Sequence, residues 1–341
     1  MKILNISLEK KLFLVESKAQ QRVLDYARLF ERFDLIVLTP RGYKNIEFEN
    51  MIIAPTNSFI RFFYLVDAYF WGKKIIKKYG YDVVSAQDPF EMGLIAWLLV
   101  KKYKLKLQIQ IHGDYFSSLY WRKESFLNRL RFYLGKFIIK KADSVRVVSH
   151  RIKESLIKLG LAPEKIVVVP IYSPIDNENL IIKNKKEDNK FIFLTVGRLV
   201  NVKNISLQIQ AMVEIIKNYP NIELWIVGDG PEKNKLENLS KKLKIEKNVK
   251  FFGWQDNLEK FYQQADVFLF TSNYEGWGMV IIEAASFGLP IIMTDAGCAG
   301  EVIKNEENGL VIEVNNKKAL VTAMIKFIEN KDFGIKIGEE A

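Results

Sequence analysis

Short apolar runs alternate with helical patterns along nearly the whole chain, and the alternation breaks once. In the first half, strand-like runs at 2–6, 35–38, 82–85, 107–111, 144–148 and 166–169 are separated by helical spacing over 19–30, 59–78, 92–102, 126–142 and 152–159, with 52–53 as a further short run. In the second half, runs at 191–196, 223–227, 249–252, 267–270, 291–293 and 311–312 alternate with helical stretches over 206–218, 231–243, 258–264 and 317–329. Strands separated by helices require parallel sheets covered on both faces. Between the halves, 170–190 holds two prolines and the polar run NKKEDNK, which marks a domain boundary. The predicted fold class is α/β, with two Rossmann-like domains facing a central cleft. Their expected limits are 1–172 and 191–341, joined by a linker over 173–190.

Composition narrows the chemistry. A single cysteine, Cys298, excludes an intramolecular disulfide and a cysteine-based zinc site, and two histidines leave little for a histidine metal cluster. Charges interrupt the apolar runs near the start, so no signal peptide is expected there. The run at 92–100 is too short to span a bilayer, which takes about 20 residues. A cytoplasmic protein is expected. Charge is uneven: residues 1–175 hold 30 Lys+Arg against 16 Asp+Glu, giving +14, and the remainder carries −3. One half is therefore suited to an acidic partner.

The stretch 273–288, NYEGWGMVIIEAASFG, lies between two apolar runs and reads as strand, glycine loop, helix, strand. Such a unit aims helix-start amides at the sheet's carboxyl edge, where anions bind. Glu275 precedes the helix. Glu283 falls inside it, beyond the main reach of the helix dipole, so it suits either a ribose diol or a solvent-facing helix position; its neighbours Ile281, Ile282, Ala284 and Ala285 argue against a fully polar face. Gly197-Arg198 ends the first strand of the second half and Lys203 follows. A guanidinium and an ammonium on one loop suit a diphosphate, although ordinary surface cations would look the same. Gly228-Asp229-Gly230-Pro231 is a strand-to-helix turn that permits close ligand approach. Trp254 suits either a nucleobase or a rim position. In the first half, His112 follows the 107–111 run at the expected ligand edge, whereas His150 reads as a capping or surface residue.

Taken together, these residues resemble the family 4 glycosyltransferases. The matching pieces are Gly197-Arg198-Leu199 with Lys203-Asn204, the 227–231 turn, Phe252-Gly253-Trp254, and the Glu275…Glu283 pair. Ala284 through Pro290, Gly297 with Glu301, and Asn308-Gly309-Leu310 complete the set, and the order and spacing agree. The resemblance covers 190–325 firmly and the first half loosely. It implies a GT-B fold and transfer of a sugar from a nucleotide-sugar donor, with retention at the anomeric carbon and no metal or other cofactor. It assigns the diphosphate to Arg198 and Lys203, the donor sugar to Glu275, and the ribose to Glu283. Gly197, Gly228, Trp254, Gly276, Gly278, Met279 and Val280 complete the donor site, and His112 joins Arg198, Lys203 and Glu275 as catalytic residues. Three departures stand out. The loop at 7–20 lacks the glycines many members have there, 171–176 replaces a usual Asn-Gly-Val-Asp element, and the C-terminal crossover helix is expected to be short or missing.

Two stretches mix aromatic and basic residues, 59–78 and 115–141. They suit helices lying on an anionic membrane surface, on the inner face of the cell membrane, or a buried aromatic face with solvated lysines. No groove-entering nucleic-acid motif is present. The expected acceptor is a glycan or a lipid-linked sugar of envelope or exopolysaccharide synthesis. The alternatives are a nucleotide-sugar epimerase or hydrolase of the same fold, or a silent nucleotide-sugar binder.

Overall fold

The structure is a computed structural model that describes residues 1–171 and 190–341. It divides into two compact units, Met1–Val169 and Pro170–Ala341. The expected linker lies outside the described residues apart from Lys190, as does the 171–176 element apart from Ile171.

In the first unit the order is β1 (Lys2–Ser7), α1 (Lys18–Ala27), β2 (Arg32–Val37), β3 (Ile46–Phe48), β4 (Met51–Pro55), α2 (Tyr64–Tyr79), β5 (Val83–Ala86), α3 (Glu91–Tyr103) and β6 (Lys106–Ile111). Then come α4 (Leu119–Glu124), α5 (Phe126–Lys141), β7 (Ser144–Val147), α6 (His150–Lys158) and β8 (Ile166–Val168). The eight strands run β3-β4-β2-β1-β5-β6-β7-β8, parallel except for β3 against β4. Leu4, Ile6, Leu35, Ile36, Val84 and Ile109 are fully buried, as strands covered on both faces require. Serines start the helices: Ser17, Ser125 and Ser149 accept from the amides of Gln20, Asn128 and Ile152 at 3.1, 3.1 and 3.3 Å. Gly72 lets α2 approach α3, since a Cβ there would lie 2.5 Å from Leu99 Cδ1. One buried charge, Asp34, is held by Arg32 Nε at 2.6 Å, the Ile52 amide at 2.7 Å and the Tyr81 hydroxyl. Burial and that carboxylate hold the Tyr81 phenol far above its usual range.

The second unit runs β9 (Phe191–Val196), α7 (Ile205–Ile215), β10 (Ile222–Val227), α8 (Lys233–Lys242), β11 (Val249–Gly253), α9 (Glu259–Gln264), β12 (Val267–Phe270), α10 (Met279–Ser286), β13 (Ile291–Thr294), β14 (Leu310–Ile312), α11 (Lys317–Glu329) and α12 (Lys331–Glu339). Its six parallel strands are ordered β11-β10-β9-β12-β13-β14. This is the doubly wound order, whose direction reverses between β9 and β12. Phe193, Leu224, Leu269, Ile292 and Met324 lie at the centre of its core.

Four local readings are revised. The helix predicted over 19–30 ends at Ala27, where the C-cap Arg28 amide donates to the Leu24 carbonyl at 3.2 Å. The helical spacing over 59–78 becomes a helix only at Tyr64, because Ile60 is extended and a single 3-10 turn intervenes. The run at 52–53 is a five-residue strand paired with an unpredicted antiparallel neighbour, β3. Beyond α11, α12 buries Ile337 in the second unit's core, and a Cβ on Gly338 would lie 2.3 Å from the Gly288 carbonyl.

Candidate functional site

All eleven predicted donor-site residues lie at or beside the carboxyl edge of the second unit's sheet, on the ends of β9, β10, β11 and β12 and on α10. Lys203 and Glu275 meet where the strand order reverses. The Lys203 ammonium pairs with the Glu275 carboxylate, and both side chains are about three-quarters buried. The β12 loop is tied to the β9 loop by the Asn273 amide on the Val202 carbonyl at 2.8 Å. A buried relay fixes the turn that carries Lys203. Gln208 Nε2 donates to Thr271 Oγ1 at 2.9 Å, and Thr271 Oγ1 donates to the carbonyls of Lys203 and Asn204 at 3.0 and 3.2 Å. The Lys203 ammonium also stands 5.1 Å from the Phe270 ring centre. Arg198, five residues earlier, is exposed on the same loop.

Close backbone approach shapes this edge. Gly228 has φ +134°, and a Cβ there would fall 1.9 Å from the Gly197 carbonyl oxygen. Only glycine fits, because both the conformation and the contact exclude a side chain. Gly278, at φ +95°, is the residue from which α10 starts, and no side chain caps the helix. The first amides of α10, at Met279 and Val280, therefore have no partner within the helix. No acidic residue occupies that first turn, so the helix start is suited to an anion. The Gly276 amide donates to Glu275 Oε1 at 3.4 Å.

Glu283 is the fifth residue of α10 and is half-buried. The Tyr262 hydroxyl, from α9, donates to its Oε2 at 2.9 Å. Burial, then the Glu283 charge, holds Tyr262 far above the usual phenol range, so it stays a donor. The Phe287 ring stacks on Tyr262 at 5.2 Å. Trp254 is 63% exposed, with its Nε1 on Asp256 Oδ1 at 3.1 Å. Its neighbour Gln255 lines a cavity of about 210 Å³ with Trp225, Phe252 and Phe261.

In the first unit, His112 follows β6 at the carboxyl edge of that sheet. Burial, with Arg146 and Arg22 nearby, lowers its pKa to about 4. It is therefore neutral at pH 7. Asp88, at the end of β5, is raised to about 6 by burial and accepts from the Phe90 amide at 2.8 Å. Asp114 is raised by burial and bonded to Ser117. Among the described residues, no group of three or more His, Cys, Asp or Glu side chains converges as a metal site would.

The structure brings Lys203 and Glu275, which the sequence assigned to one donor site, into contact. Sequence reasoning did not find Tyr262, Gln208 or Thr271. Tyr262 lies 21 residues from Glu283, and its role depends on how α9 crosses α10.

Two family descriptions divide the chain: Glycosyltransferase Family 4 matches residues 19–171, and Glycosyl transferases group 1 matches residues 176–341. An uncharacterized glycosyltransferase of Haemophilus influenzae is 30% identical over 262 residues, covering 71% of this chain and 72% of that protein. The UDP-Gal:alpha-D-GlcNAc-diphosphoundecaprenol alpha-1,3-galactosyltransferase of Escherichia coli is 28% identical over 277 residues, covering 77% and 70%. Sucrose-phosphate synthase from Thermosynechococcus elongatus superposes with a TM-score of 0.82 at 19% identity, over 100% of this chain and 93% of that one. Anabaena HepE, solved in complex with UDP, gives 0.73 at 18% over the same shares. The chain belongs to family 4 of the glycosyltransferases and has the GT-B fold.

Proposed function

We propose that this glycosyltransferase moves a hexose from a nucleoside diphosphate donor to a lipid-linked or glycan acceptor of envelope synthesis, with retention at the anomeric carbon. The observation that carries the reading is the Lys203–Glu275 pair at the strand-order reversal, beside an uncapped helix start. When a donor binds, the Lys203 ammonium and the Arg198 guanidinium neutralise its diphosphate, and the amides of Met279 and Val280 take a phosphate oxygen. Glu275 is released to accept from sugar hydroxyls. Glu283, aimed by Tyr262, accepts from the ribose diol. Gly197, Gly228 and Gly276 let backbone close on the phosphates, and Trp254 lies along the base.

In the transfer step the bond from the anomeric carbon to the β-phosphate oxygen breaks, and the bond to the acceptor oxygen forms. The electron pair leaves with the phosphate, which takes the acceptor's proton on the same face of the sugar. Arg198 and Lys203 stabilise that developing charge, a role a divalent cation otherwise fills. Neutral His112 donates to or accepts from a sugar hydroxyl. A UDP donor is supported by the Escherichia coli relative's named substrate. A lipid-linked acceptor is supported by the same relative and by the basic first unit, which suits a peripheral position on the inner face of the membrane.

Replacing Lys203 with Ala tests the assignment. Turnover should fall about 10²–10³-fold, the usual loss for one charge-stabilising donor, with the thermal transition kept. An unchanged rate would remove Lys203 from the diphosphate site. Nucleotide release without added acceptor, accompanied by an altered sugar, would favour an epimerase instead.

A further inference from the structure

One face of the first unit's sheet is polar where the other is apolar. Ile109 of β6 faces α3 and α5: a Cβ on Gly93 would lie 3.4 Å from Ile109 and 3.0 Å from Ile138. Its neighbours Gln108 and Gln110 therefore point to the opposite face. The parallel register sets Asn5, Ser85, Gln108 and Ser144 abreast on that face, with Gln110 beside Arg146 one pleat nearer the carboxyl edge. Gln110 Nε2 donates to Ser85 Oγ at 3.0 Å, Ser85 Oγ to Gln108 Oε1 at 3.0 Å, and Arg146 Nη1 to Gln110 Oε1 at 3.4 Å. Two residues beyond Gln110, about 7 Å further along the chain, comes His112. α1 packs on the same face, since Val23 and Ala27 share a core cluster with Leu35, which pairs with Asn5. Arg22 precedes Val23 and is exposed. Arg146 and Arg22 are the two charges that bear on His112.

These two arginines lack the partners that other guanidinium groups of this unit find. Arg28 pairs with Asp25 at 3.0 Å, Arg32 with Asp34 at 2.6 Å and Arg131 with Glu91 at 2.7 Å. Arg22 and Arg146 pair with no carboxylate among the described residues. Arg146 Nε is sealed from solvent and has no hydrogen-bond partner there either. Folded chains seldom leave a buried polar group unpaired, and a charged one is the most costly to leave so. The Gln110 oxygen at 3.4 Å is a long, weak contact. Its bond to Ser85 nevertheless aims that oxygen at Arg146, so the guanidinium is oriented before any ligand arrives. One guanidinium satisfies both oxygens of a carboxylate, whereas a phosphate has further oxygens for a second.

We infer that Arg146 and Arg22, beside His112, form a subsite for a phosphate group borne by the acceptor. The inference rests on the reading that the chain transfers a sugar to an acceptor, and it adds the chemistry that tells this acceptor from an uncharged glycan. Arg146, anchored on β7, is the fixed half of the subsite. Arg22, on the surface of α1, closes on the phosphate from the other side. Neutral His112 adds no third charge and can accept as well as donate. No bond is made or broken at this subsite; it positions the acceptor.

Two arms test this. In the first, the full chain is titrated with inorganic pyrophosphate while the His112 ring signals are followed by NMR. The signals should move to saturation, and Arg22→Gln and Arg146→Gln should each weaken that binding about tenfold. Arg22 is exposed, so its variant keeps the fold and the arm stays decisive if Arg146→Gln does not. In the second, transfer is measured to short-chain alkyl hexose diphosphates and to the matching methyl glycosides. Wild type should prefer the diphosphates, and Arg22→Gln should cut that preference about tenfold through KM rather than kcat. His112 signals that ignore pyrophosphate, or that respond equally in both arginine variants, would overturn the proposal. Pyrophosphate binding with equal use of both acceptor classes would also overturn it, by assigning the arginines to a free phosphate ligand. Bound pyrophosphate with no transfer to any acceptor would remove the acceptor role, and that result marks failure of the transferase reading rather than of the anion site.

Discussion

Replacing His112 by Asn should unmask a pH dependence of stability that the wild-type protein hides. His112 has a folded pKa of about 4 against an ordinary 6.5. Its folded form stays neutral where the unfolded imidazole takes up a proton. Stability from this group is fully present above pH 6.5 and is lost as pH falls toward 4. The span corresponds to about 3 kcal/mol. Asp88 works in the opposite sense. Burial raises it from 3.8 to about 6, so its folded carboxyl stays protonated where the unfolded one ionises. Stability linked to Asp88 is fully present below 3.8 and is lost as pH rises through 6, again by about 3 kcal/mol. Between pH 4 and 6 the two slopes oppose each other and cancel to within about 1 kcal/mol. In His112→Asn the His112 slope is removed, so the variant minus wild-type stability should fall by about 3 kcal/mol from pH 4 to pH 6.5. Asp88→Asn should give the opposite trend. Urea midpoints across that range measure both, and subtraction removes every group the proteins share. A His112→Asn curve parallel to wild type throughout would refute the claim that His112 is held neutral by burial. For the reaction, the same claim predicts no loss of turnover from imidazole protonation above about pH 5.

Other consequences follow from the second unit. Tyr262→Phe removes the hydroxyl that aims Glu283, and donor KM should rise about tenfold with little change in kcat, a hydrogen bond to a charged group being worth roughly 1.5 to 3 kcal/mol. The preference for ribonucleotide over 2′-deoxyribonucleotide donors should shrink with it; an unchanged preference would make Tyr262 merely structural. Gly228→Ala forces a Cβ to within 1.9 Å of the Gly197 carbonyl from a positive φ. It should cost at least about 3 kcal/mol and lower the melting temperature by roughly 10 °C, with donor binding lost as well. Gln208→Leu breaks the relay beneath Lys203 and should lower kcat more than it changes donor affinity, as read by steady-state kinetics.

The alternation of elements was legible because strands buried on both faces must read as apolar runs, whatever else the chain does. β9, β12 and β13 are such strands. β3 was not legible: three half-exposed residues at a sheet edge carry no alternation to detect. Nor was α12, whose two glycines are weak helix formers and whose place is set by contact with Gly288 and Pro290. In the site, residue types and spacing singled out Arg198, Lys203, Glu275, Glu283 and the helix start as candidates, since glycine turns and charges follow strand ends directly. The groups that hold them were hidden. Thr271, Gln208 and Tyr262 act through hydrogen bonds across elements, and a threonine, a glutamine or a tyrosine has no local pattern that announces such a bond. The perturbed pKa values of Asp88 and His112 were equally hidden, because burial rather than a sequence neighbour is their leading cause.

The central claim is that the second unit holds a nucleotide sugar on Arg198, Lys203, Glu275 and Glu283 and releases its diphosphate as a glycosidic bond forms. The most direct measurement incubates the purified chain with a panel of nucleotide sugars, a lipid-linked acceptor and a metal chelator, and counts nucleoside diphosphate released against glycosidic bonds formed. The account predicts one diphosphate per bond with a single preferred donor, the anomeric configuration retained by NMR, and turnover undiminished by the chelator. Absence of diphosphate release with every donor, or a product of inverted configuration, would contradict it.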